Sequence, residues 1–158
     1  MGRPDRATAV VAALLHADRI ISDSIEKGLR AQAGLSLAQY EVLLRLSQAP
    51  EGRLRMVDIS ERLCVSKSGV TQLVDRLEEA GMVERQFQRS DRRLTYAKIT
   101  GPGGEALRRS TPEIERAVQE HLARHLTEVE MRRLHEALVK VQDGNRDLGD
   151  RTPATARP

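Results

Sequence analysis

Residues 56–100 read MVDISERLCVSKSGVTQLVDRLEEAGMVERQFQRSDRRLTYAKIT, and the expected fold follows from this segment. Its first part places methionine, isoleucine and leucine on one face of a short helix, predicted from Met56 to Leu63. After a tight connection, Ser66 is an N-cap for a longer helix that ends at Gly81. Two helices separated by so short a turn predict a helix-turn-helix.

Two β-strands are expected after the longer helix. Residues 83–88 and 94–99 favour extended backbone, and the polar, arginine-rich run 89–93 between them predicts a hairpin loop. No other segment predicts a strand. Because the chain has only two tyrosines, one phenylalanine and no tryptophan, its core must consist mainly of aliphatic side chains, which suits helices. The expected fold is mostly α (α+β), with a winged helix-turn-helix.

The longer helix has two distinct faces. Apolar side chains at helical spacing form a core stripe of Val70, Leu73, Val74 and Leu77. The other face carries side chains suited to base edges and phosphates, namely Ser68, Thr71, Gln72, Asp75 and Arg76, with Ser66 and Lys67 at the N-terminal end. The partial positive charge of that end also favours a phosphate near Ser66 and Ser68. Any surface helix has a polar face, but a following ribbon with an arginine-rich tip makes this one predict DNA binding.

Long helices are expected on both sides of the winged segment. Apolar spacing predicts one amphipathic helix over residues 8–33, and Gly34 supplies its C-terminal stop. A capping box at residues 36–39 opens the next helix, with Leu35 and Tyr40 as its hydrophobic staple. Both helix ends are therefore specified by local sequence.

The segment after the wing is expected to be helical with interruptions. It begins with the glycine-rich residues 101–104, and a helix then extends to Leu126. Pro112 should kink or restart this helix, with Thr111 as a cap for the second piece. A second capping box, at residues 127–130, opens the last helix.

Composition limits the class of protein. A chain of 158 residues with 39% hydrophobic content and a net charge of +3 predicts one compact unit with a slight basic excess. A single cysteine forms no internal disulfide, and neither a signal peptide nor a membrane span is evident, so a cytoplasmic protein is expected. No phosphate-binding loop or nucleophile elbow occurs, so neither an enzyme nor a cofactor is expected.

These residues resemble the MarR family of bacterial transcription regulators. The resemblance rests on Ser66, Thr71, Asp75-Arg76-Leu77, Gly81-Met82-Val83 with Arg85, Asp91 and Arg93, and residues 94–100, together with Leu37, Gln39 and Leu43 in the second helix. It implies a two-fold homodimer held by the N- and C-terminal helices, with each recognition helix in the major groove of double-stranded DNA. It also implies that Arg93 enters the minor groove, that Asp91 positions it, and that Arg92 contacts a phosphate. Arg89 adds to this basic tip.

Two positions depart from the family pattern. Many relatives have glycine where this chain has Cys64, so a left-handed backbone there would be mildly strained. Residues 101–104 are also richer in glycine than is usual in the family, which is expected to loosen the joint between wing and dimer helices.

The resemblance also suggests a domain division. Residues 1–34 are expected to form an N-terminal dimerisation helix, 35–100 the winged DNA-binding domain, and 101–148 the C-terminal dimerisation helices. Leu148 is the last large apolar residue of the chain. Residues 149–158 therefore have nothing to bury, and a disordered tail is expected.

The expected function is that of a ligand-responsive homodimeric repressor, a sequence-specific transcriptional regulator that binds a pseudo-palindromic operator. The alternative is a winged-helix protein-interaction module without DNA binding, which the basic tip argues against. Because many family members bind small anionic aromatics near the dimer helices, the resemblance places His16, Arg19, Tyr40 and Arg45 near an effector pocket. Packing or solvation is the ordinary role of such residues.

Two further features are considered as functional sites: a pair of histidines as a metal site and the single cysteine as a redox sensor. His121 and His125 are four residues apart on a predicted helix with Glu120 and Glu128 nearby, but no further His or Cys stands at ligand spacing, so a solvated or dimer-facing patch is preferred and no metal is expected. Cys64 is expected to be a small, half-buried thiol rather than a redox sensor.

Overall fold

The computed structural model describes residues 5–88 and 91–149, except the side chains of residues 88, 91–94 and 146–149. In chain order its helices and strands are α1 Arg6–Ala33, α2 Leu37–Ser47, β1 Arg53–Arg55, α3 Met56–Leu63, α4 Lys67–Glu79, β2 Val83–Gln88, β3 Asp91–Ile99, α5 Gly101–His121 and α6 Glu128–Gly149. Short 3-10 turns lie at Pro50–Gly52 and Ala123–His125. The predicted mostly-α winged helix-turn-helix is confirmed. Among the described residues, those up to 118 and those from 119 onward form two compact units.

The junction between α1 and α2 forms as its local sequence predicts. Gly34 ends α1 with a φ of +67°, and its N–H donates to the Arg30 carbonyl at 3.1 Å. The Ser36 hydroxyl accepts from the Gln39 N–H at 3.2 Å, and the Gln39 side chain accepts from the Ser36 N–H at 2.9 Å. The predicted capping box is confirmed, and it satisfies two N–H groups that the start of a helix leaves unpaired.

α3 and α4 are joined by a tight turn, as predicted. Cys64 ends α3 in the left-handed region, with φ 52° and ψ 36°. The Ser66 hydroxyl accepts from the Gly69 N–H at 3.2 Å and so caps α4. The predicted apolar stripe of α4 is confirmed, with Val70, Val74 and Leu77 buried and Leu73 partly buried.

Cys64→Gly is expected to stabilise the protein by about 1 kcal/mol, because glycine enters the left-handed region without the Cβ clash that other L-residues meet there. Chemical denaturation measures this difference in unfolding free energy. Cys64→Ala is the matched control, because it removes the sulfur but keeps Cβ, and it should leave the stability nearly unchanged. An equal gain in both variants would attribute the strain to the thiol and contradict the backbone explanation.

The wing sheet contains one strand more than the sequence predicted. β1 pairs antiparallel with β3, which pairs antiparallel with β2, in the order β1-β3-β2. The prediction that strands occur only in the hairpin was wrong, because three residues are too few to show alternation and β1 exists through pairs such as Leu54 with Ala97. β3 begins at Asp91 rather than Leu94, so residues 91–93 belong to the strand and not to the predicted loop. Polar side chains do not prevent backbone pairing.

α5 begins directly after β3, and the glycine-rich residues 101–104 form its first turn. The Thr100 hydroxyl accepts from the Gly103 N–H at 3.2 Å and donates to the Gly81 carbonyl at 2.7 Å. Gly103 is buried, and a Cβ there would lie 2.1 Å from the carbonyl oxygen of Met82. Gly103 therefore permits close packing of α5 against the Met82 carbonyl, and the expectation of a loosened joint stays a prediction.

Pro112 does not restart α5, which continues through it. Thr111 is not a cap, since its hydroxyl donates to the Leu107 carbonyl one turn earlier, at 3.1 Å. The prediction of a second helical piece was therefore wrong. Ser110 and Ala117, on either side of the proline, are fully buried, so packing maintains the helix despite the hydrogen bond that proline cannot make.

The start of α6 is specified by the second capping box. α5 ends at His121, earlier than the predicted Leu126. The Thr127 N–H donates to the Glu130 carboxylate at 2.8 Å, and the Thr127 hydroxyl donates to it at 2.7 Å. These bonds, chiefly the one from the backbone, hold the pKa of Glu130 below its ordinary value. The capping box is confirmed.

Aliphatic side chains from the helices and the sheet form the core of the first unit. The fully buried residues include Leu29, Leu43, Leu46, Ile59, Val70, Val74, Leu77, Ala97 and Ala106. The predicted staple residues, Leu35 and Tyr40, are also buried. Because α4 contributes three of the fully buried residues, one of its faces is fixed in the core and the other is left to solvent.

Candidate nucleic-acid interface

The polar face of α4 is exposed. Six of the residues predicted to bind DNA lie on this face or at its N-terminal end, and all are exposed: Ser66, Lys67, Ser68, Thr71, Gln72 and Arg76. The period of 3.6 residues per turn separates them from the buried stripe. α4 therefore presents hydroxyl, amide, ammonium and guanidinium groups along one accessible surface.

Local hydrogen bonds order the hydroxyl groups of this face. Ser66 Oγ accepts from the Gly69 N–H and lies 3.1 Å from Ser68 Oγ. Thr71 Oγ1 donates to the Lys67 carbonyl at 3.0 Å, which leaves its lone pairs to accept a hydrogen bond from a base amino group. Since the first N–H groups of a helix have no partner within it, this end of α4 is suited to an anion such as a phosphate.

An ion cluster joins α4 to β2. Arg85 Nη2 lies 2.6 Å from Asp75 Oδ1, and Arg85 Nη1 lies 2.5 Å from Glu78 Oε2. The Arg85 N–H also donates to Glu78 Oε1 at 2.9 Å. Partial burial disfavours the charged guanidinium, but its hydrogen bonds to Asp75 and Glu78 outweigh this effect and raise the pKa of Arg85. Asp75, predicted to belong to the polar face, is therefore held by an ion pair within the protein.

An open cavity of about 350 Å³ adjoins the N-terminal half of α4. It is lined by Arg55, Met56, Val57, Lys67, Thr71, Arg85 and Thr95. Arg55 binds Asp58 through two hydrogen bonds of 2.7 and 2.9 Å, which hold the pKa of Asp58 below its usual range. Three cationic side chains thus surround an opening next to the exposed face of α4.

A second cavity, of about 410 Å³, lies on the wing sheet and is lined by Arg53, Gln86, Phe87 and Tyr96. The Arg53 guanidinium lies 5.2 Å from the centroid of the Tyr96 ring, within range of a cation–π interaction. Arg53 also forms an ion pair of 2.7 Å with Glu51. The wing therefore holds this cation by contacts of its own, separate from those of α4.

The basic wing tip falls largely outside the described residues. Arg89 lies among the residues that the structure does not describe. The backbones of Asp91, Arg92 and Arg93 belong to β3, but their side chains are not described. Their roles toward DNA stay predictions.

The four residues predicted near an effector are not brought together by either cavity. His16 and Arg19 are exposed on α1, whereas Tyr40 on α2 is buried. Burial raises the pKa of Tyr40. Arg45 is half-buried, and within the described part of the chain its Nε is buried without a hydrogen-bond partner. An effector site at these residues stays a prediction.

Cys64 is exposed, so the prediction of a half-buried thiol was wrong. Its position at the end of α3, in the turn to α4, leaves the side chain at the surface, with Sγ 3.8 Å from the Glu61 carbonyl oxygen. Among the described residues, no three His, Cys, Asp or Glu side chains are grouped to hold a metal ion. In the same ranges, no helix has the length and apolar character needed to cross a membrane.

Two residues that shape the interface did not emerge from sequence reasoning alone. Arg85 was noted only as part of the family pattern. It lies two residues after the buried Val83 on the same strand, and residues two apart on a strand face the same side, so this spacing was a signal that Arg85 faces inward. Gly103 stood in a glycine-rich run, and only its closeness to the Met82 carbonyl shows its purpose. Both positions connect elements that are distant in the sequence.

Known proteins share this sequence pattern and fold. The model of the MarR family matches residues 33–94. The uncharacterized HTH-type transcriptional regulator YdgJ of Bacillus subtilis is 30% identical over 113 residues, which cover 72% of this chain and 67% of YdgJ. Sco3205, a MarR family transcriptional regulator from Streptomyces coelicolor solved in complex with DNA, is 29% identical with a TM-score of 0.83, covering 91% of each chain. AbsC, another MarR family transcriptional regulator from that organism, is 28% identical with a TM-score of 0.83, covering 93% of this chain and 99% of AbsC. The chain belongs to the MarR family of transcriptional regulators.

Proposed function

We propose that this protein is a homodimeric repressor that binds a pseudo-palindromic operator in the cytoplasm and is released by a small-molecule effector. The observation that carries the proposal is the exposed polar face of α4, fixed in position by the buried stripe behind it. The DNA complex of the similar Sco3205 supports double-stranded DNA as the partner.

The dimensions and chemistry of α4 suit the major groove. Its 13 residues correspond to about 20 Å of helix, and a groove about 12 Å wide admits a helix side-on. Gln72 suits the paired donor and acceptor of an adenine edge, and Arg76 suits the two acceptors of a guanine edge. Lys67 and the N-terminal end of α4 are placed to bind a phosphate and so fix the register.

The wing is proposed to anchor the flanking DNA. Arg93 inserts into the minor groove, whose negative potential attracts a guanidinium. Arg92 and Arg89 neutralise backbone phosphates, and Asp91 orients Arg93. The start of β3 at Asp91 supports this assignment, since a paired strand offers a firmer base for Arg93 than a loop does.

Self-association is supported by the apolar face of α1. Ile25 and Leu29 are buried on this face, but toward the N-terminus the same stripe continues as Val10 and Leu14, which are 61% and 45% exposed. A second copy of the chain supplies an apolar surface that matches it, and a two-fold dimer presents two α4 helices to a two-fold operator.

Release by an effector is proposed to act through residues of α2. Arg45 offers a guanidinium whose Nε lacks a partner among the described residues, and the buried Tyr40 lies on the same helix. A small anion bound by Arg45 would satisfy that donor. His16 and Arg19 are the further candidates on α1.

Footprinting of the DNA upstream of the protein's own gene tests the proposal. We expect two protected half-sites whose centres are about 34–36 Å apart, one helical turn, as a two-fold dimer of helix-turn-helix units requires. Protection without any repeat of the half-site, or none at all, would contradict the proposed mode of binding.

Arg93→Ala is expected to weaken binding to that DNA and to lower the slope of log affinity against log salt by about 1, because one cationic contact is lost. Titrations at several salt concentrations measure the slope. Arg108→Ala is the control, since Arg108 is an exposed cation on α5 that pairs with Glu105 and takes no part in the proposed interface. An unchanged slope in Arg93→Ala would show that Arg93 makes no ionic contact with the DNA.

A further inference from the structure

We propose that Arg85 is a positioning residue that fixes the wing against the recognition helix, so that the major-groove and minor-groove contacts are presented as one unit. The inference rests on the proposed DNA binding of α4 and the wing. It assigns a role to a residue that contacts neither groove in that proposal.

The contacts of Arg85 all lead from β2 back to α4. Its guanidinium bridges Asp75 and Glu78, and Nη2 also donates to the Thr71 carbonyl at 3.4 Å. Glu78 accepts from both the side chain and the backbone N–H of Arg85. Three residues one turn apart on the recognition helix are therefore tied to a single residue of the wing strand.

Burial makes this cluster more than a surface ion pair. The Arg85 side chain is only 19% exposed, while Asp75 and Glu78 are 48% and 39% exposed. A guanidinium largely removed from water keeps its donors directed at fixed acceptors, and its planar fork engages two carboxylates at once. Lysine, with a compact ammonium on a flexible chain, cannot reproduce this geometry.

The cluster also controls charge beside the DNA. Asp75 and Glu78 place two negative charges on the helix that is proposed to enter a groove lined by phosphates. Arg85 compensates one of them and holds both carboxylates toward the wing. Without it, the carboxylates would be free to turn outward and repel the phosphates.

Comparing Arg85→Gln and Arg85→Lys with the unmodified protein tests the role. Two footprints are recorded on the upstream DNA: guanine N7 methylation, which reports the major groove, and hydroxyl-radical cleavage, which reports the minor groove. For Arg85→Gln we expect major-groove protection to persist at raised protein concentration while the flanking minor-groove protection is lost, with affinity reduced about tenfold or more. Arg85→Lys should retain the charge but show the same loss of minor-groove protection in weaker form.

Arg108→Gln is the matched control. Its loss also removes one positive charge, but Arg108 lies on α5 and its ion pair is with Glu105, so it takes no part in the proposed interface and does not join the wing to α4. This variant should keep both footprints. Thermal unfolding of every variant shows whether a lost footprint comes from an unfolded protein or from a folded protein whose wing is no longer held against α4.

The outcomes are distinct. If both footprints weaken in parallel in Arg85→Gln, or if neither changes, Arg85 does not position the wing. If the unmodified protein gives no protection, the proposed function fails before Arg85 is tested. Should both substitutions prevent folding, amide hydrogen exchange in the unmodified protein decides: exchange at Arg85 as slow as at the buried Val74 supports the cluster, and fast exchange overturns it.

Discussion

Gly103→Ala is expected to lower the free energy of unfolding by about 3 kcal/mol, because the new methyl group has to displace backbone rather than a side chain. A Cβ at this position would lie 2.1 Å from the Met82 carbonyl oxygen and 3.0 Å from the Ile99 side chain. The same carbonyl accepts the Thr100 N–H at 3.1 Å, so it cannot move without disturbing this hydrogen bond at the start of α5. Chemical denaturation monitored by circular dichroism measures the change.

The neighbouring glycines provide matched controls. Gly101 and Gly104 belong to the same helical turn, neither has a positive φ, and a Cβ at either would meet nothing within 4 Å. Alanine at these positions should be neutral or stabilising by up to about 1 kcal/mol, as expected for replacing glycine in a helix. If Gly103→Ala were as stable as Gly104→Ala, the close approach of α5 to the Met82 carbonyl would be refuted.

Leu14→Glu is expected to convert the proposed dimer to a monomer and to lower the affinity for operator DNA by about 100-fold or more, because a monomer loses the second, tethered recognition helix. Leu14 is 45% exposed on the apolar stripe of α1, and a carboxylate there would be buried unpaired on association. Sedimentation velocity gives the oligomeric state, and DNA titration gives the affinity.

Ala12→Glu introduces the same charge on the other side of α1. Two residues along a helix rotate the side chain by about 200°, so this exposed position lies away from the stripe. The variant should remain dimeric and bind DNA normally. A dimeric Leu14→Glu protein, or an Ala12→Glu protein that dissociates equally, would exclude the stripe as the contact surface.

Elements specified by their own sequence were predicted well. The capping boxes at Ser36 and Thr127, the left-handed Gly34 and the N-cap Ser66 each depend on atoms within a few residues, so the sequence contains the whole signal. The apolar stripe of α4 was predicted for the same reason, because its period is a local property. From these features the exposed face of α4 follows directly.

Features that depend on distant parts of the chain were missed. β1 exists because Leu54 pairs with Ala97, and α5 passes through Pro112 because buried residues on both sides support it. The Asp75–Arg85 ion pair could not be predicted for a related reason, since an acidic residue on a polar face suits either DNA or a partner within the protein. Asp75 pairs within the protein because β2 runs past α4 and brings Arg85 next to it.

We propose above all that the exposed face of α4 reads a particular DNA sequence. Its most direct test is the affinity of the purified protein, at about 0.15 M salt, for the DNA upstream of its own gene compared with random DNA of equal length. We expect a preference of about 1,000-fold or more for the upstream DNA, with Gln72→Ala and Arg76→Ala each reducing that preference. Equal affinity for the two DNAs would contradict it.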